Sequence, residues 1–131
     1  MRILRSVAAI AVGLGFMAAT VTVGTLVASA LIGDGAMPLA AYLSVNLAVC
    51  GIGAILGGWL AARIASFAPY GHAAVMAAIV AVLSITTAPG APATAYPGWY
   101  PSVLGLVAVL GVLLGGKLRA AAASGAGPVV A

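Results

Sequence analysis

Residues that could support acid–base or metal chemistry are few in this chain, and they lie far apart in the sequence. The chain has one acidic residue, Asp34, one histidine, His72, and one cysteine, Cys50. General acid–base catalysis needs paired carboxylates or a histidine beside a carboxylate, and a metal site needs several such ligands together. The sequence offers neither combination, so we expect a non-enzymatic protein without a metal or cofactor.

Three polar residues within or beside the apolar segments need an interpretation. His72 could ligate a haem or chlorin, but a histidine at a helix end without an acidic neighbour is more often structural. Cys50 lies in an apolar segment without a partner thiol, which is typical of a small buried hydrophobic residue. Asn46 lies in the same segment, and its amide needs hydrogen-bond partners when buried. We expect an interhelical hydrogen bond at Asn46, with a solute contact as the alternative.

Composition indicates which elements must carry these residues. Apolar residues make up 65% of the 131 residues and charged residues only 5%, with a mean hydropathy of +1.30. A soluble domain carries about a quarter charged residues, so a water-soluble domain is excluded. The net charge of +4 does not indicate nucleic-acid binding, because the cations form no dense patch. They lie at the ends of apolar segments: Arg2, Arg5, Arg63, Lys117 and Arg119.

Four apolar segments are long enough to cross a bilayer, whose hydrocarbon core of about 30 Å needs roughly 20 helical residues. They predict an all-α, four-helix membrane bundle that forms one domain over residues 1–124, with a short tail at 125–131. The first segment is longer than the roughly 7–15 apolar residues of a signal peptide, so we expect it to be retained. The expected spans are about 6–32, 39–65, 72–88 and 101–118.

The cations also predict the orientation of the bundle. With four crossings, all the Lys and Arg residues fall on one membrane face, and Asp34 falls on the opposite face. Positively charged loops remain in the cytoplasm, so we expect both termini to be cytoplasmic.

An internal repeat relates the second and fourth spans. A shift of 58 residues places Tyr42–Ser66 over Tyr100–Ser124, with 12 of 25 positions identical. A shift of 59 places Met17–Thr25 over Met76–Ser84. Together these matches predict two tandem helical hairpins, related by an axis along the membrane normal.

Small residues recur four positions apart in the second and fourth spans. In lipid, helices associate through close packing of such faces, so we expect these spans to form the central pair. We expect them to cross near Gly57 and Gly115, with a face left open to another protein as the alternative. The expected packing glycines are Gly53, Gly57, Gly58, Gly111, Gly115 and Gly116.

The segment before the fourth span is rich in proline and ends in an aromatic cluster formed by Tyr96, Trp99 and Tyr100. Amphipathic rings favour the level of the lipid headgroups, so a membrane anchor is one interpretation. A contact surface for a partner protein is the other, because such rings offer a large apolar area with a polar edge.

The segments GAILGGWLAARIA, PGWYP and LGGKLR, together with His72, resemble a loose class of small four-span bacterial membrane proteins that carries no assigned activity. The resemblance covers about residues 42–119 and implies a bacterial inner membrane. LSVNLAVCGIG is similar to the Asn-bearing helix of fluoride channels, but the Phe- and Thr-rich broken helix of that family is absent. Small multidrug-resistance exporters need a membrane-embedded Glu, which this sequence lacks.

Two functional hypotheses follow from these patterns. The first is an accessory or scaffolding subunit of a larger membrane complex, because the chain combines small-residue faces with an aromatic loop and lacks a charged transport site. The second is a homodimeric channel or carrier for a small neutral or anionic solute. In that case Asn46 and the Thr-rich first helix would face an aqueous path.

Overall fold

The computed structural model describes residues 2–32, 39–65, 67–87 and 97–125, and every regular element within these ranges is an α-helix. Each helix is long and apolar enough to cross a membrane. The chain is therefore an all-helical, multi-pass membrane protein, as its composition predicts. The helices are α1 (Arg2–Ile32), α2 (Leu39–Ala65), α3 (Pro69–Thr87) and α4 (Tyr100–Gly125).

The helix bounds differ from the expected spans by more than one residue at three ends, whereas α2 covers the expected range. α1 begins at Arg2, one turn before the expected start. α3 begins at Pro69, one turn before His72, because a proline fits the first helical turn, where no N–H is needed. α4 continues past residue 118 to Gly125, since Ala120–Ala123 favour helix. The rest of the expected tail, 126–131, lies outside the described residues.

Contacts along the helices show that sequence neighbours are antiparallel. Gly13 of α1 lies against Gly57 of α2, and Thr25 near the other end of α1 bonds to Asn46. α3 and α4 show the same decreasing order, with the contacting pairs Ala73–Gly116 and Ser84–Gly105.

The most extensive helix contact joins α2 and α4. These two helices run parallel, because Ala54 lies beside Gly111 and Ile55 lies beside Gly115. α1 packs mainly on α2 and α3 mainly on α4, while the contact between α1 and α3 is small. The buried core lies where the helices meet and consists of Cys50, Ala54, Ala61, Ala73, Met76, Ala77, Val80, Ala108 and Val112.

A short turn connects α2 to α3, and Phe67 and Ala68 are its described residues. Ala68 in this turn has a φ of 47°, in the left-handed region that costs a residue other than glycine about 1–2 kcal/mol. His72 stabilises the turn, since its Nδ1 donates to the carbonyl oxygen of Ala68 at 3.0 Å. The His72 ring also meets the Phe67 ring edge-to-face, with 5.0 Å between their centroids.

Candidate functional site

Gly58 and Gly115 lie at the closest approach of α2 and α4. A Cβ atom added to Gly115 would overlap the carbonyl oxygen of Ile55, and one added to Gly58 would overlap the carbonyl oxygen of Val112. Both obstacles are backbone atoms, which cannot rotate away. A side chain at either glycine would therefore push the two helices apart. Gly111 extends this contact one turn along α4.

Gly57 does not take part in that crossing, which corrects the expectation from the sequence. A Cβ added to Gly57 would lie 2.8 Å from the carbonyl oxygen of Gly13 and 3.0 Å from the Cβ of Met17, so this glycine faces α1. Gly58 occupies the position at the α2–α4 crossing that was expected for Gly57, because successive residues point about 100° apart around a helix. The remaining predicted packing glycines face α1 and α3, and they are Gly53 and Gly116 respectively.

Gly15, in the middle of α1, was missed by the sequence analysis. A Cβ added to Gly15 would meet no described atom within 4 Å. Ala11 and Ala19 lie four residues to either side and are also exposed, as is Gly15 itself. We call Ala11, Gly15 and Ala19 the α1 small face. The same four-residue spacing that indicated the other glycines could have found it.

The predicted aromatic cluster divides in the structure. Trp99 is 54% exposed, whereas Tyr100 is 4% exposed, although their rings meet edge-to-face at 5.9 Å. Tyr100 packs inside the bundle at the start of α4, so it cannot offer the exposed contact expected of it. Trp99 remains accessible to a lipid headgroup or a partner. Tyr96, the third member of the cluster, lies outside the described residues.

Many of the described polar side chains within the membrane spans bond inside the bundle. The Oγ1 atom of Thr25 donates to the Oδ1 atom of Asn46 at 3.3 Å, which joins α1 to α2. Hydroxyl groups that bond back to their own helix need no further partner. Five hydroxyls do so, each to the carbonyl oxygen four residues earlier, and they belong to Thr20, Ser44, Ser84, Thr86 and Ser124.

His72 uses both ring nitrogens within the chain. Its Nδ1 must carry the proton, because the carbonyl oxygen of Ala68 can only accept. In the neutral ring, Nε2 therefore accepts from the Oγ of Ser6 at 3.0 Å, which joins α3 to α1. Neither nitrogen can bind a haem or pigment unless one of these bonds breaks, so the geometry favours the structural role.

The cations of the described side chains lie at one end of the bundle, where α1 and α3 begin and α2 and α4 end. Arg5 donates from Nε to the carbonyl oxygen of Ile64 at 2.9 Å, which fixes the start of α1 to the end of α2. The guanidinium of Arg63 lies 5.0 Å from the centre of the Trp59 ring, within the range of a cation–π interaction. The other two cations at this end are Lys117 and Arg119.

A cavity of about 620 Å³ lies between α1 and the α3–α4 pair, in the half of the bundle away from the cations. On the side of the cavity that faces the cations, Met76 fills the space between the helices, because its side chain packs against Gly13. The contact between α1 and α3 is small, whereas α3 packs on α4 at both Ala73 and Ser84. The cavity walls are mainly apolar and include Leu14, Val21, Cys50, Val80, Leu83 and Leu104.

These features limit what the described part of the bundle can do chemically. It contains no group of three or more His, Cys, Asp or Glu residues that could hold a metal ion. Comparisons with protein-family models, with curated proteins and with solved structures find no match to this chain. The α1 small face and the cavity are two surfaces of the described residues that are suited to bind another molecule.

Proposed function

We propose that this protein is a non-enzymatic accessory or scaffolding subunit of a larger membrane complex. The α1 small face carries the proposal. Helices associate in lipid through close packing of small residues, and Ala11, Gly15 and Ala19 present such residues to the outside of the bundle. Gly53 and Gly57 of α2 use the same spacing to pack against α1 inside the bundle. A transmembrane helix of another protein would fit the outer face of α1 in the same way.

The alternative, a channel or carrier, has less support from the polar groups. A carrier needs a wetted route with polar groups available to its solute near the middle of the membrane. Asn46 is bonded to Thr25, and the described Ser and Thr side chains that bond to their own helices are already satisfied. None of the described residues that line the cavity is charged. These observations favour the subunit over the carrier.

The proposal also includes a location and an orientation. The described cations share one end of the bundle, and the positive-inside rule assigns such an end to the cytoplasm. Both termini would then face the cytoplasm of a bacterial inner membrane, with Trp99 at the outer interface. The pairing of α1 with α2 and of α3 with α4 supports two tandem hairpins. The repeat-related Gly57 and Gly115 nevertheless face different helices, so the two hairpins would not be packed identically.

Site-specific photocrosslinking in native membranes tests the subunit role. A photoreactive amino acid replaces Val12, an exposed residue that borders the α1 small face, in one variant and Ala48, an exposed residue of α2, in the matched control. We expect an adduct with one other membrane protein from position 12 and none from position 48. Ala11→Leu, added to the first variant, should abolish the adduct because a bulky side chain prevents close helix packing.

Other outcomes would overturn the subunit role. An adduct with the mass of two copies of this chain would make the α1 small face a homodimer contact. Equal adducts from positions 12 and 48, or none from position 12, would mean that this face contacts only lipid. Solute flux through the purified, reconstituted protein that is abolished by Asn46→Leu would support the carrier instead.

A further inference from the structure

The cavity between α1 and the α3–α4 pair has no part in the subunit role. It follows α1 from Leu14 to Thr22 and α4 from Tyr100 to Ala108. At a rise of 1.5 Å per residue, each stretch spans about 12 Å along the membrane normal. Its volume of about 620 Å³ falls within the range of about 300–1,000 Å³ that is typical of small-molecule sites.

The chemistry of the walls indicates an apolar occupant. The polar side chains that line the cavity, besides Tyr100, are those of Thr22, Cys50 and Ser84, and Ser84 already donates to the carbonyl oxygen of Val80 at 2.8 Å. A polar solute would lose its hydrogen bonds to water here without adequate replacement. Water itself needs two to four polar partners in a buried site, and these walls are too apolar to hold it.

The surroundings of the cavity indicate which apolar molecule can occupy it. The cavity lies between helices that are long and apolar enough to cross a membrane, so the molecules outside it are lipids. A hydrocarbon chain is apolar along its length and can lie against these walls without leaving a polar group unpaired. Met76 closes the end towards the cations, so the occupant enters from the bilayer between α1 and α3.

We propose that this cavity binds a hydrocarbon chain of a membrane lipid. The chain passes between α1 and α3 and lies against Cys50, while the lipid headgroup remains at the membrane surface near Trp99. Filling the cavity restores the dispersion contacts that the wall residues would lack beside a void. The cavity shares no residue with the α1 small face, although Ala18 and Thr22 lie beside Ala11 and Gly15 around α1.

The test uses the full-length protein in liposomes of phosphatidylcholine that carries a diazirine midway along one acyl chain. After irradiation, mass spectrometry maps the adducts. Cys50 is buried, so an adduct there reports a chain inside the cavity. Leu110 is exposed and lies outside the cavity, so it reports lipid on the outer surface. We expect adducts at both residues in the unmodified protein.

Two variants distinguish the cavity from general lipid contact. Ala18 is exposed at the cavity mouth, and Ala18→Phe should remove the Cys50 adduct while the Leu110 adduct remains. Ala19→Phe adds the same ring one residue away, outside the cavity, and should leave both adducts unchanged. If Ala18→Phe alters the unfolding profile of the protein, Thr22→Phe takes its place.

The proposal would be overturned by a Leu110 adduct without a Cys50 adduct. It would also be overturned if neither cavity-filling variant reduced the Cys50 adduct. A second arm replaces the labelled phospholipid with a free alkane that carries the same diazirine. Labelling of Cys50 by the alkane but not by the phospholipid would show that the cavity takes free hydrophobic molecules rather than a lipid chain.

Discussion

At the scale of single residues, glycines determine which helices can approach each other. Gly58 and Gly115 let backbone meet backbone where α2 crosses α4, whereas Gly15 has open space around it. All three residues are glycines without a Cβ atom, and all three lie in similar apolar sequence. Their different surroundings therefore make them a direct test of the packing.

Replacing Gly115 with alanine should destabilise the bundle. The added methyl group would overlap the carbonyl oxygen of Ile55 and lie 2.8 Å from the backbone nitrogen of Trp59. Overpacking of this kind costs about 1–3 kcal/mol. Gly15→Ala is the matched control and should cost nothing, since its Cβ meets no described atom and alanine favours helix. Denaturant unfolding in micelles measures both, and equal stabilities would contradict the α2–α4 crossing.

The sequence predicted that these glycines pack but could not assign each to a partner. α2 carries small residues on two sides, and the spacing of four is the same on both. Gly57 and Gly58 are adjacent, yet one faces α1 and the other faces α4. Only the relative rotation of the helices decides between these directions. That rotation depends on all the contacts of the bundle together, which no local pattern reveals.

At the scale of the helices, α1 differs from the others because the smallest share of it is buried. Three polar contacts tie it to its neighbours: Arg5 with Ile64, Ser6 with His72, and Thr25 with Asn46. The first two lie at the cation end, where Met76 also packs against α1. The third is the polar tie at the far end of α1, beyond the cavity.

Asn46→Leu should weaken the attachment of α1 by removing this tie. Interhelical hydrogen bonds in membrane proteins contribute about 0.6 kcal/mol on average and up to about 1.7 kcal/mol. The matched control is Ser44→Ala, two residues away, because Ser44 bonds only to Ala40 of its own helix in the described contacts. Denaturant unfolding should show the larger loss for Asn46→Leu. A larger loss for Ser44→Ala would mean that the Asn46 bond does not hold α1.

Most of the helices and their bounds could be predicted from the sequence, and the bounds that differ have local causes. The length of each apolar segment predicted a helix, and the bounds of α2 agree with the expected range. The expected third span began at His72, three residues after the observed start of α3 at Pro69, although a proline suits a first helical turn. The cavity could not be predicted, since it depends on how α1 packs against the α3–α4 pair rather than on any motif.

At the scale of the whole molecule, the described cations make the two ends of the bundle chemically different. Arg5, Arg63, Lys117 and Arg119 lie at one end, and Trp99 lies at the other. Moving several Lys and Arg side chains across the membrane is costly, so we propose that the cation-rich end lies in the cytoplasm. The proposed lipid site would then face the outer half of the membrane, because the cavity lies away from the cations.

Cysteine accessibility tests this orientation in a Cys50→Ala background, which removes the native thiol. With a membrane-impermeant maleimide on intact cells, Trp99→Cys should react from outside, because Trp99 is exposed at the end away from the cations. Arg119→Cys should react only after the membrane is permeabilised, since this residue lies at the cation end. Asp34→Cys and Arg2→Cys, on the expected outer and inner faces, extend the test. Labelling of Arg119→Cys but not of Trp99→Cys on intact cells would invert the bundle and place the lipid site in the cytoplasmic half.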